Sequence, residues 1–480
     1  MTPENESAQS VSRRVFLGGS VAAVVAASSL AATATAAAAS TTAGTSASTT
    51  AGTGGLAAGT GLQVGAGKAP ISIPASLLPT PDGFTTVHDD LYARVLLLGS
   101  GADRFALAVY DLTSINDADA ITEIAAIISK AAGVPAANTI VSVTHSFSAP
   151  HFNGTSGLTG TALTEAQGLL NQLLAATTTA VNDAVSGLTD ARVGYGTGKC
   201  DVNVNRNVDT ADGWWLGTGE AGPSDKSVRV TRFDDLSGNP IAILANYNVQ
   251  SSVMMDSVMA DGALPITADL AGATVQHVEG QYGSGVVGFF LCGATGDQAP
   301  AFVSKRYTID KDLNWAQVDA HDAGWLLLTV QGERLGTEVV RVSQTIDTAA
   351  GANAAVRLIT GSITATEVAQ TPGQNAAPTK SHAFTPDGTA TLPVWALQVG
   401  DGVFVGAEPE LSTVTAQAIM DHSPFAHTSV ISNLEGGAKN MPDAWNYQHI
   451  TYESLDSFYA AGTAEAVAAK AAQLLKSLPH

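Results

Sequence analysis

Four short apolar runs in this 480-residue chain each end on polar side chains that can do chemistry. The run TIVSVT over 139–144 delivers His145, with Ser146, Ser148 and His151 in the loop that follows. PIAILA over 240–245 delivers Asn246, Tyr247, Asn248 and Gln250, and the run over 286–291 delivers Cys292, Gly293 and Asp297. The run VFVGA over 403–407 delivers Glu408. An imidazole and two carboxylates brought to one place can move protons or hold a cation. Each also has a plainer reading. His145 can be a hydrogen-bonded loop histidine, Gln250 a polar contact, Asp297 a turn residue, and Glu408 a charge favoured by the dipole of the next helix. Gly293 and Gly296 can serve tight backbone geometry alone.

The elements that would position these groups read as alternating strands and helices. Apolar and β-branched runs predict strands over 104–110, 139–143, 240–245, 286–291 and 403–405. Apolar spacing of i, i+3, i+4 predicts helices over 118–132, 164–185, 266–281, 320–344, 412–420 and 462–478. That order implies an α/β, multilayer fold. A hairpin-like stretch over 356–405, with turns expected at Asp387-Gly388 and at 400–402, adds antiparallel strands, so the β-sheets are expected to be mixed and flanked by helices. Open α/β sheets bind ligands at the carboxyl ends of their strands, where His145, Gln250, Asp297 and Glu408 fall. No internal sequence repeat is visible.

With 22 basic against 43 acidic side chains the formal charge is −21, which argues against nucleic acid as a partner, since phosphate contacts need clustered Lys and Arg. Residues 1–40 read as a twin-arginine signal peptide: Arg13-Arg14 precedes a short apolar run and a small-residue cleavage site. The expected location is therefore secreted or extracytoplasmic, with the twin-arginine export machinery as a transient partner and no membrane span in the mature chain. The Thr/Ser/Gly/Ala tract 41–62 reads as a flexible linker. Residues 63–480 then form one α/β domain. Cys200 and Cys292 either pair as a disulfide or stay two separate buried thiols.

From 64 onwards the chain resembles the neutral/alkaline non-lysosomal ceramidase family in a shorter bacterial form. The resemblance runs through VGAGK at 64–68, HDDLYAR at 88–94, Asp111 in AVYDLTS, THSFS at 144–148, Asn205-Arg206, NYNVQSS at 246–252, ITADLAG at 266–272, GATGDQAP at 293–300 and Glu408-Pro409. It implies a ceramidase catalytic-domain-like fold, without the C-terminal immunoglobulin-like domain of the larger members. It also implies hydrolysis of the amide of an N-acyl sphingoid lipid by metal-activated water. The metal positions it carries over are His145, Gln250 and Glu408, with Asn440 where the family has a tyrosine and Phe147 where it has a second histidine. Glu408 or Asp297 would assist proton transfer, and Asp111, Arg206, Gly293 and Asn440 would contact a small-molecule or lipid substrate. Arg206 can equally make an ordinary salt bridge. The family's ion is zinc. The amides at 250 and 440 suit Mg²⁺, Ca²⁺ or Mn²⁺ better, or no ion at all. The competing function is a catalytically inactive protein of the same fold that binds a lipid or glycan.

Overall fold

Three times along the chain a three-strand antiparallel meander is followed by a helix, a strand parallel to the third, and a second long helix. The computed structural model describes residues 61–283, 285–371, 377–437 and 439–479. The segment read as a signal peptide, and all but the last two residues of the linker, lie outside them. In the first module β1 (Leu62–Ile71), β2 (Leu91–Ser100) and β3 (Asp103–Tyr110) lead through α1 (Ala118–Ala132) to β4 (Thr139–Val143) and α2 (Gly160–Ser186). In the second, β5 (Thr189–Lys199), β6 (Ser227–Asp235) and β7 (Pro240–Tyr247) lead through α3 (Asp269–Tyr282) to β8 (Val287–Cys292) and α4 (Gly324–Ser343). The third has β9 (Val356–Thr371), β10 (Ala383–Val399), β11 (Gly402–Ala407), α5 (Thr413–Asp421) and β12 (His427–Ile431). It continues through two short helices, α6 (Ala444–His449) and α7 (Tyr452–Leu455), to α8 (Thr463–Ser477). The repetition is one of topology without a sequence repeat.

The first two modules join edge to edge in one eight-stranded mixed sheet, ordered β8-β7-β6-β5-β1-β2-β3-β4. Only the outer pairs β3/β4 and β7/β8 are parallel. The third module makes a four-stranded sheet, β9-β10-β11-β12, whose parallel pair is β11/β12. Side chains alternate across each strand and so feed two cores. In β2, Ala93, Val95 and Leu97 pack under α1 and α2, while Leu96 and Leu98 meet the second sheet. In β7, Ile243, Ala245 and Tyr247 pack under α3 and α4, and Ala242 and Leu244 meet the second sheet. The far face of the four-stranded sheet is covered by α5 and α8 through Val467, Ala471 and Leu475. The result is four layers: helices, sheet, sheet, helices.

Local chemistry explains the ends of these elements. Asp117 caps α1 by accepting from the Asp119 amide, and Gly133 closes it at φ 69°, a left-handed geometry that Gly adopts without strain. At β1 the packing is closer than a side chain permits: a Cβ on Gly67 would run into Ala180 O of α2. The six long helices fall within a few residues of their expected bounds. Asp387-Gly388 lies inside β10 and is not a turn: the ladder shifts register between Thr366 and Val368, and Gly388 takes a φ of 104° at the irregularity. The turn at 400–402 does join β10 to β11. Cys200 and Cys292 are both free and buried, so they are two separate thiols. Among the described residues no helix is long and apolar enough to cross a membrane.

Candidate functional site

The loops after β4, β7 and β11 meet, although the pairs β3/β4 and β7/β8 run in opposite directions by their ladders in the eight-stranded sheet. Small ladders fix the meeting. Ser146 bridges Ser251 in parallel, and the Phe147 amide donates to Ser251 O, which ties the His145 loop to the Gln250 loop. Glu410–Leu411 pairs in parallel with Asn440–Met441. Gln298–Pro300 pairs with Asn203–Asn205, and the Arg206 amide donates to Asp297 O, which places Arg206 beside both.

The side chains form a continuous buried network. His145, in a left-handed conformation at φ 50°, donates from Nδ1 to Thr113 O at 2.7 Å and from Nε2 to Glu410 Oε1 at 3.0 Å. Gln250 Nε2 donates to both Glu410 oxygens at 3.0 Å, while its Oε1 accepts from Arg206 Nη1 at 2.6 Å. Arg206 also donates from Nε to Glu453 Oε1 at 2.7 Å and from Nη2 to Asn440 Oδ1 at 3.3 Å. Its guanidinium carbon lies 5.1 Å from the Tyr452 ring centroid, a cation–π contact. None of the six residues His145, Glu410, Gln250, Arg206, Asn440 and Glu453 exceeds 5% exposure. Burial raises the Glu410 carboxyl, but His145, Arg206 and the Gln250 amide outweigh it and hold its pKa at about 2. Burial disfavours a charged His145 ring, and the Glu410 carboxylate overcomes this and raises its pKa. Both ring nitrogens face acceptors, as an imidazolium requires.

The glutamate of the cluster is Glu410, not Glu408. Pro409 separates the end of β11 from the Glu410–Leu411 ladder, and Glu408 packs against Gly437 while raising the pKa of Glu435. Sequence reasoning also missed Thr113, Tyr452 and Glu453. The second acid of Glu408-Pro409-Glu410 was the available signal for Glu410; Glu453, 43 residues further on, had none.

The remaining expected residues sit elsewhere or play structural parts. Asp111 is fully buried against Arg94 Nη1 at 2.6 Å and accepts from the Tyr92 amide, so a substrate does not reach it. Asp297 Oδ1 accepts from the Thr413 amide and hydroxyl and Oδ2 from Asn205; burial pushes its pKa up to about 6 against those hydrogen bonds. It works as the anchor of α5 rather than as a free acid or base. Gly293 faces Asn248 Oδ1 with no room for a Cβ. Phe147 meets the His145 ring edge-on at 4.4 Å. Arg206 makes the salt bridge and Asn440 a network contact, and Arg206 and Gln250 also form the floor of a cleft of about 1050 Å³. Asn203, Lys226, Met255, Phe302 and Leu326 are among its other lining residues.

This donor set does not fit a divalent metal. Zinc needs lone pairs from imidazole, thiolate or carboxylate at about 2.0–2.3 Å. Here His145 Nε2 and Gln250 Nε2 are spent on the Glu410 carboxylate, and the amide oxygens of Gln250 and Asn440 are spent on a guanidinium that does not deprotonate. A doubly charged ion would sit against that fixed positive charge. Among the described residues no group of three or more His, Cys, Asp or Glu side chains could hold a metal ion.

No protein-family model and no curated protein matches the sequence. Solved structures do. A structure titled "Ceramidase complexed with C2" matches at a TM-score of 0.64 and 16% identity, over 88% of this chain and 76% of that one. The crystal structure of neutral ceramidase from Pseudomonas aeruginosa matches at 0.64 and 17% identity, over the same shares. The mixed multi-sheet α/β architecture is therefore the ceramidase fold, as the resemblance implied.

Proposed function

We propose that this chain is a ceramidase-like hydrolase that takes the amide of an N-acyl lipid into the cleft over Arg206. The observation that carries this reading is convergence: loops from all three modules meet in one buried network, and its Arg206 and Gln250 line the cleft, in the fold shared with neutral ceramidase. The lining suits an amphipathic ligand, since it holds the exposed apolar groups Phe302 and Leu326 together with the polar Asn203 and Lys226. Three of the five guanidinium N–H groups of Arg206 are donated within the network, which leaves donors for a carbonyl oxygen and for the charge it gains as water attacks. Asp256 lines the same cleft from the Gln250 loop, at a strained φ of 54°, and is the carboxylate we assign to accept the water proton. Export by the twin-arginine route belongs to this reading, and a double Arg13→Lys, Arg14→Lys variant should stay inside the cell.

One observation favours a second reading, a silent protein that binds a lipid or glycan intact. Neither His145 nor Glu410 lines the cleft, because Gln250 and Arg206 cover them. The deciding experiment incubates the protein with a fluorescent N-acyl sphingosine and follows fatty-acid release beside a thermal-shift titration. Release that falls at least about 100-fold in Asp256→Asn supports the hydrolase. Binding without release selects the second reading, and neither binding nor release refutes both.

A further inference from the structure

We propose that the guanidinium of Arg206 takes the place of a metal ion at this centre, as a cation built into the chain, so that the network assembles without any divalent ion. The positions that the resemblance assigns to metal ligands do converge, once Glu410 replaces Glu408, but they converge on one another and on Arg206. Gln250 and Asn440 turn their amide oxygens, donors a hard cation would use, towards Nη1 and Nη2 of the same guanidinium.

The residue types at those positions fit a guanidinium better than an ion. An amide accepts at one end and donates at the other. Gln250 therefore links the cation to the carboxylate, accepting from Arg206 and donating to both oxygens of Glu410. A neutral imidazole there would have one donor and one acceptor and could not reach all three atoms. Asn440 repeats the arrangement, accepting from Arg206 and donating from Nδ2 to Asp456 Oδ2 at 3.0 Å. The carboxylates of Glu410 and Glu453 are already engaged by His145 and Arg206, so neither is free to take a further double charge. The cation is also held in place independently of its ligands. Its backbone donates to Asp297 O and accepts from the Gly217 amide, and the Tyr452 ring supports its flat face.

The inference stands apart from the question of turnover, because its readout is metal uptake. Full-length wild-type protein is incubated with excess zinc, desalted and assayed by elemental mass spectrometry, beside His145→Gln and the double variant Arg206→Ala, Gln250→His. The wild type should retain under about a tenth of a zinc per chain at this centre and melt at the same temperature with and without a chelator. The double variant removes the cation and restores an imidazole, and should retain about one zinc per chain with a zinc-dependent rise in Tm. About one zinc per wild-type chain, lost in His145→Gln, would overturn the proposal. Zinc that persists in His145→Gln lies elsewhere and supports it. Should the double variant not fold, zinc uptake by the wild type alone decides.

Discussion

Replacing Glu410 with Gln gives the sharpest test of the buried network, because its effect must change with pH. Glu410 is 1% exposed and shares its carboxylate with His145 and Gln250, and its pKa falls from 4.5 to about 2 on folding. A carboxyl whose folded pKa is depressed contributes stability that is present above the unfolded pKa and is lost as pH falls towards the folded one. At about 1.4 kcal/mol per pH unit, the depression amounts to about 3 kcal/mol at pH 7. It shrinks to about 2 kcal/mol by pH 3.5, as protonation begins to favour the unfolded chain. The Gln variant lacks the titration and leaves His145 facing a neutral amide, so it starts lower by about 3–5 kcal/mol at pH 7. Urea unfolding of both proteins should show the gap widening from pH 7 to about pH 5, as the unfolded chain protonates a His145 that burial keeps neutral in the variant, whereas below about pH 4.5 the Glu410 contribution to the wild type falls by about 1 kcal/mol. Comparing the two proteins cancels the other carboxylates of a chain with 43 acidic residues. A gap that stays constant from pH 7 to pH 3.5 would refute the assignment of Glu410 as the ionised partner of His145.

Other substitutions probe the surroundings. Asp111→Ala strands Arg94 in the core with no counter-charge and should cost about 3–5 kcal/mol in urea unfolding. Ligand affinity at the cleft should be unchanged under conditions where the variant is folded; a selective loss of affinity would return Asp111 to the substrate site. Gly293→Ala drives a Cβ into Asn248 Oδ1, which accepts from the Ala294 amide, and should cost about 1–3 kcal/mol, visible as a lower Tm. Burial and the neighbouring Glu408 push the Glu435 pKa up to about 7, so its ionisation weakens the fold as pH rises from 4.5 to 7. Glu435→Gln should then stabilise the protein by about 2 kcal/mol at pH 8, with the gain fading towards pH 4; an equal gain at both pH values would show that the charge is not the cause.

Much of the scaffold was legible because the long helices and the central parallel strands carry strong periodicity. The expected helix over 118–132 coincides with α1, and the expected strand over 139–143 with β4. β1 escaped notice for a physical reason. Its helix-facing side carries Gly65 and Gly67, since α2 lies too close for a Cβ, and glycine erases the alternation that marks a strand. Asp111 ended a strand next to an apparent loop and so looked available, but its partner Arg94 lies on the neighbouring strand β2, opposite Val109 in the ladder. Glu408 drew attention as the first acid after β11. The two-residue ladder that selects Glu410 pairs it with Asn440, 30 positions away, and local sequence carries no trace of that pairing.

The sequence by itself determined which residue types stand at the strand ends, and with them the strand-helix alternation and the excess of acidic charge. Strand ends are encoded locally, where an apolar run stops and polar residues begin. Only the tertiary structure decided which of those groups face one another and which cation they surround. The ring of His145, Glu410, Gln250, Arg206, Asn440 and Glu453 spans more than 300 positions and is closed by hydrogen bonds between all three modules. Hydrogen bonds act over about 3 Å, so their partners are set by where sheets and loops come to rest, and no spacing along the chain encodes that distance.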